Sequence, residues 1–160
     1  SDLPTSGGSM KKIARRPATR RTPVHEAQAR FLAKVIRRLE EAWSRQFRRS
    51  DDLSLETYQR FREMAEFEDF MDAALACGFV CNDFRDFAPV DQVHESDCPG
   101  DEVARLTFPE LRHYVHTLQR AEKWNSDYSR TLWSSLQTGA LPAVARRLET
   151  DNSLYESDGE

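Results

Sequence analysis

His113 and His116 stand three residues apart in the stretch LRHYVHTLQR, residues 111–120. On a helix this spacing sets both imidazoles on one side, where they could ligate a metal, share a proton, or form part of a basic surface. A metal site needs neutral imidazoles and usually a carboxylate or thiolate to offset the cation. The near neighbours are instead Arg112, Arg120 and Lys123, all cationic. His94 and Cys98, upstream, could complete a Cys/His set for zinc, but their spacing matches no recognised zinc pattern. The expectation is therefore a basic, solvent-facing helix surface made of Arg112, His113, His116, Arg120 and Lys123. It is either a binding face or a merely solvated one, with no metal and no other cofactor.

Other reactive residue types are arranged without a catalytic signature. Cys77 and Cys81 are four apart with Gly78 between them, so they read as small apolar packing residues rather than a redox pair. There is no C-x-x-C, Gly-rich phosphate loop, nucleophile elbow or H-E-x-x-H. The acids of NDFRDF (82–87) could supply a carboxylate pair, although no histidine is placed beside them. A zinc-dependent or carboxylate enzyme is thus the third function class, behind two binding classes.

Charge is distributed in blocks. Residues 11–49 hold 13 Lys/Arg against three Glu, a balance of +10, and residues 51–104 hold three Arg against 15 Asp/Glu, a balance of −12. Residues 105–148 return to +4, and residues 149–160 carry five acids and no base. Such asymmetry bears on partners and self-contact more than on fold. The acidic block offers Asp83, Asp86, Asp91, Glu95 and Asp97 to a partner. The arm offers Lys11, Lys12, Arg15, Arg16, Arg20 and Arg21 to nucleic acid.

The elements that must position these groups read as helices. Residues 1–9, SDLPTSGGS, look like an added linker ending at Met10. Residues 10–23 have six bases, no acid and two prolines, which predicts a disordered basic arm. Leu32, Val35, Ile36, Leu39, Trp43 and Phe47 form one apolar stripe at helical steps, with Lys34, Arg37, Arg38, Arg45, Arg48 and Arg49 mostly off it. Ser54 can cap the next helical stretch. There Tyr58, Phe61 and Ala65 share a face, while Phe67, Phe70, Met71, Ala74 and Leu75 lie in another phase, predicting a kink near 64–66 or two helices. Gly78 ends that stretch. Residues 79–81 are the one short extended candidate, and 82–104 read as a long acidic loop.

Thr107 and Glu110 make a capping box with Pro109 in the first turn of a helix running to about Lys123. A helix over 128–138 ends at Gly139, and Pro142 opens a last one. Trp124, Tyr128, Leu132, Trp133 and Leu136 read as core between the last three helices. The expected fold is all-α, a compact bundle of about five helices in a single domain over 24–149. The basic arm precedes it and a disordered acidic tail, 150–160, follows.

The segments FEDFMDAALACGFVCNDF and LQRAEKWNSDYSRTLWSSLQTGALPAVARRL resemble parts of a small bacterial domain family of unknown function. The resemblance rests on Arg120, Lys123 and Trp124, on the helix-ending Gly139, and on the closing Arg146, Arg147 and Leu148. It spans residues 67–148 and departs from the family at FRDFAPVD, where a tryptophan-rich stretch is usual. The family occurs in bacterial genomes, phages, plasmids and integrative elements. The likeness implies origin and fold, and no activity.

These readings converge on a non-enzymatic, cytoplasmic binding or regulatory protein of a bacterial mobile element. It would inhibit or modulate a host protein or nucleoprotein complex, such as a defence system, in the manner of an anti-CRISPR protein. The alternative is a nucleic-acid-binding accessory protein using the basic arm and helix, with weak binding to free nucleic acid. No apolar run is long enough to span a bilayer, so no membrane partner is expected, and no small-molecule substrate is expected either.

Overall fold

A computed structural model describes residues 24–47, 54–80, 100–124 and 130–150. Among these residues there are seven helices and no strand: α1 (Glu26–Gln46), α2 (Leu55–Arg62), α3 (Ala65–Ala76), α4 (Gly100–Val103), α5 (Phe108–Trp124), α6 (Thr131–Gln137) and α7 (Ala140–Thr150). The all-α expectation holds, with two more helices than the sequence suggested.

Helix α1 is the spine. Its apolar stripe is buried as predicted, and it packs against both α3 and α7. The Gln28 side chain accepts from the His25 N–H at 2.9 Å and fixes its start. Midway along, Arg37 makes a two-pronged contact with Glu149 near the end of α7, Nε–Oε2 3.0 Å and Nη2–Oε1 3.1 Å. The pair raises the Arg37 pKa and lowers that of Glu149, chiefly through these hydrogen bonds.

The phase change near residue 64 is a break between two helices. Ser54 Oγ accepts from the Thr57 N–H at 3.1 Å to cap α2, and Met64 turns to an extended ψ of 144° before α3 begins. Phe61 and Phe67 can therefore meet edge to face, with centroids 5.3 Å apart, although one unbroken helix would separate their phases. Helix α3 ends in a Schellman turn: Phe79 N–H donates to Ala74 O at 3.0 Å and Gly78 N–H to Leu75 O at 3.2 Å. Gly78 has φ +88°, a conformation an L side chain adopts only with strain. Phe79 and Val80 are buried but not in a strand, and Cys81 lies outside the described residues.

Part of the stretch read as a long acidic loop is helical. Gly100–Val103 forms the single turn α4, which buries Val103 fully and rests on α7. Arg147 of α7 holds the end of that turn, its Nη1 donating to Val103 O at 2.9 Å and Leu106 O at 2.8 Å. One apolar residue in a four-residue turn gives no periodic signal, so the packing behind it is invisible in the sequence. The predicted Thr107/Glu110 capping box is present, with Thr107 N–H to Glu110 Oε1 at 2.8 Å and Glu110 N–H to Thr107 Oγ1 at 3.3 Å.

The core centres on Trp133 of α6. Its ring lies 5.3 Å from Phe61, 5.5 Å from Phe47, 5.9 Å from Trp43 and 6.2 Å from Tyr58. Such contacts contribute about 0.5–1.5 kcal/mol per aromatic pair beyond simple burial. They draw α1, α2 and α6 around one residue. The Trp124 side chain and Tyr128 are outside the described set.

Candidate functional site

The polar side of α5 faces the protein over much of its length. Arg112 is 3% exposed, His116 5% and Gln119 4%, which corrects the expected solvent-facing basic surface at Arg112 and His116. Leu111, Tyr114, Val115 and Leu118 bury one side of α5, and α3 with the turn that ends it covers a second. Amphipathic periodicity marks which side is apolar. It does not reveal a second neighbour whose backbone carbonyls can accept hydrogen bonds from long polar side chains.

Those carbonyls explain the buried cation. Arg112 Nη2 donates to Gly78 O at 2.7 Å, at the turn that ends α3, where a helix leaves acceptors open. Its guanidinium also lies over the Phe108 ring, 5.9 Å from the centroid. One and two turns on, His116 and Gln119 follow, with Gln119 Nε2 reaching Met71 O at 3.3 Å. The His113 and His116 rings stack with centroids 6.0 Å apart. Burial pushes the His116 pKa down to about 4, and electrostatic repulsion from His113 and Arg120 acts in the same direction. His116 is thus a neutral imidazole at physiological pH. His113 and Arg120 are half-buried, and Lys123 alone of the five is exposed.

The last turn of α5 carries Glu122, a fully buried carboxylate that sequence reading did not single out. It accepts from the Tyr58 hydroxyl, from Arg62 Nη1 at 2.9 Å, from Thr131 Oγ1 at 3.2 Å and from the Leu132 N–H at 3.0 Å. Burial chiefly, and then the adjacent Glu122 charge, raise the Tyr58 phenol pKa. These donors come from α2 and from the first turn of α6, so the carboxylate both caps α6 and ties three helices together. A single acid in the later turns of a helix otherwise read as basic was the only trace of this in the sequence.

The remaining sequence-derived candidates divide simply. Asp83, Asp86, Asp91, Glu95 and Asp97, with His94 and Cys98, lie outside the described residues, as do Lys11, Lys12, Arg15, Arg16, Arg20 and Arg21. Cys77 is 4% exposed and its thiol pKa is raised by burial, in agreement with a packing role. Among the described residues no group of three His, Cys, Asp or Glu side chains is placed to hold a metal ion. No described helix is long and apolar enough to cross a membrane.

Two exposed stripes fall within the basic helix and the acidic block read from the sequence, at residues not singled out there as sites. On α1, Phe31 is 50% exposed and is followed on the same face by Lys34 and Arg38. On α3, Glu68, Asp69 and Asp72 are exposed and lead to Leu75, which is 48% exposed. Leu75, grouped by phase with Phe67, Phe70, Met71 and Ala74, faces outward, whereas Phe67, Phe70, Ala73 and Ala74 form the buried side. Comparison with known proteins finds no matching family model, curated protein or solved structure.

Proposed function

We propose that this chain is a binding protein that captures a macromolecular partner through its acidic surface. The family resemblance implies a bacterial mobile element as the setting, and in that setting the protein would inhibit or modulate a host protein or nucleoprotein machine, such as a defence system. The observation that carries the reading is the outer face of α3. Glu68, Asp69 and Asp72 are exposed there, and none is in an ion pair with a described residue. They belong to the −12 block that continues through Asp83, Asp86, Asp91, Glu95 and Asp97. A dense acidic face can occupy a site that otherwise holds nucleic-acid phosphates.

The groups best suited to acid–base chemistry are turned inward. Glu122, Tyr58 and Arg62 join helices to one another, which favours binding over a carboxylate enzyme. The test is affinity capture from host lysate, with and without nuclease. One stoichiometric, nuclease-resistant partner, lost when Glu68, Asp69 and Asp72 are changed to Gln and Asn, is the expected result. Partners that vanish with nuclease would instead favour the nucleic-acid reading. That second reading draws support from α1, where Lys34 and Arg38 follow the exposed Phe31 at steps of three and four.

A further inference from the structure

Helices α1 and α3 pack on each other through their buried faces, and each keeps an outward stripe. Along α1 the stripe runs Phe31, Lys34, Arg38, in steps of three and four. Read backwards along α3, the other runs Leu75, Asp72, Glu68, again in steps of three and four. The four charged members are exposed and in no ion pair with a described residue, whereas Arg30, Arg37 and Arg45 each bridge to a glutamate. Phe31 and Leu75 are two of the three large apolar side chains left exposed among the described residues. One molecule therefore carries both halves of an antiparallel helix pair, apolar opposite apolar and base opposite acid.

We propose that the α1 stripe of one copy docks on the α3 stripe of a second copy, pairing Phe31 with Leu75, Lys34 with Asp72 and Arg38 with Glu68. A free acidic or basic partner would satisfy only one stripe. A second copy satisfies both at once, because each chain can give its α1 and receive on its α3, the reciprocal arrangement of a two-fold contact. Exposed ion pairs are individually weak and screened by salt. The self-association is accordingly weak, reversible and salt-sensitive. It covers Glu68 and Asp72, so a second copy and the partner proposed above compete for one surface. The dimer contact itself does not depend on that partner.

Sedimentation of the full chain over a concentration series, at low salt and at about 0.5 M salt, tests the proposal. The wild-type average mass should exceed the monomer at low salt and fall towards it at high salt. Lys34→Glu with Arg38→Glu, or Glu68→Lys with Asp72→Lys, should each weaken association by about tenfold or more, since like charges then face each other. Mixing the two reversed proteins should restore it, because each reversed stripe meets its complement. If a reversed variant loses helix content by circular dichroism, Lys34→Gln with Arg38→Gln and Glu68→Gln with Asp72→Asn replace the pairs, and each should still weaken association. A wild-type chain that stays monomeric at low salt overturns the proposal. So does association untouched by either change, or folded reversed variants that fail to associate when mixed. Single-stranded DNA binding lost with Lys34 and Arg38, in a chain that never self-associates, would assign the stripe to nucleic acid instead.

Discussion

The Tyr58 hydroxyl donates to a carboxylate oxygen of Glu122, joining α2 to the last turn of α5 across 64 positions of chain. The same carboxylate accepts from Arg62 and from the first turn of α6. A buried charge survives only with partners of this kind, so the arrangement is fragile to loss of any one of them. Glu122→Ala should lower stability by about 3–5 kcal/mol, because Arg62, Tyr58 and the Leu132 N–H all lose their acceptor. Tyr58→Phe, which removes one donor to a charged acceptor, should cost about 1.5–3 kcal/mol. Urea unfolding of the variants measures both, and changes below about 0.5 kcal/mol, the usual range for surface positions, would show that the network is incidental.

His116 gives stability a pH dependence of known sign. Its folded pKa is lowered to about 4 from an ordinary value of 6.5, so between these values the unfolded chain binds more protons than the native one. The contribution of the neutral, buried ring is complete above pH 6.5 and is lost as pH falls towards 4. Glu149, held below its usual range by Arg37, loses its contribution lower, below about 4.5. Urea midpoints between pH 4 and 7 should therefore fall on acidification, and His116→Gln should flatten the curve above pH 5. An unchanged curve in the variant would mean that the imidazole is not buried neutral.

Two glycines should respond differently to a methyl group. A Cβ on Gly78 meets only Val24 at 3.6 Å, so the cost of Gly78→Ala is the left-handed backbone, about 1–2 kcal/mol. A Cβ on Gly100 would sit 2.8 Å from Gly139 O, a backbone atom that cannot swing aside. Gly100→Ala should therefore push α4 off α7 and release Arg147 from its carbonyls. Hydrogen exchange should show lost protection at Ala104, whose N–H bonds to Gly100 O, while α1 and α5 stay protected.

How far the sequence speaks for this fold is clearest on α1 and α5. On α1 a single apolar stripe meets the core, and every residue assigned to it is buried. On α5 periodicity marks the apolar side but not the burial of Arg112 and His116 on the other, where Gly78 O accepts from Arg112 and Met71 O from the neighbouring Gln119. Caps and stops were readable at Ser54, Thr107, Gly78 and Gly139, since their chemistry is local. Glu122 was not, because its four donors include Tyr58 and Arg62, about sixty positions away, and nothing in a helix periodicity points to them.

Gln119 is a place where polarity works against the fold. Its Nε2 makes one long bond to Met71 O, and its Oε1 is buried without a hydrogen-bond partner. An unsatisfied buried acceptor costs about 1–3 kcal/mol. Gln119→Met keeps the length of the side chain and removes both polar atoms, so it should be neutral or stabilising by about 1 kcal/mol. A loss of more than that in thermal or urea unfolding would mean that Oε1 has a role the helix packing does not explain.

The two partner readings make opposite demands on the charged surfaces. If the acids capture a protein, Asp83→Asn, Asp86→Asn, Asp91→Asn and Asp97→Asn together should abolish capture while far-ultraviolet circular dichroism stays unchanged. Adding the α3 changes Glu68→Gln, Asp69→Asn and Asp72→Asn should not restore it. If the chain instead binds nucleic acid, removing the same acids removes repulsion, and affinity for DNA should rise. In that case Lys34→Gln with Arg38→Gln should weaken binding for every sequence alike. It should also flatten the log–log salt dependence by roughly 1.4 to 1.8, since each phosphate contact contributes about 0.7 on single strands and 0.9 on duplex. Measuring capture and the salt slope on the same set of variants separates the readings. An acidic set that changes neither quantity would leave Glu68, Asp69 and Asp72 as solvated surface and remove the support for the proposed function.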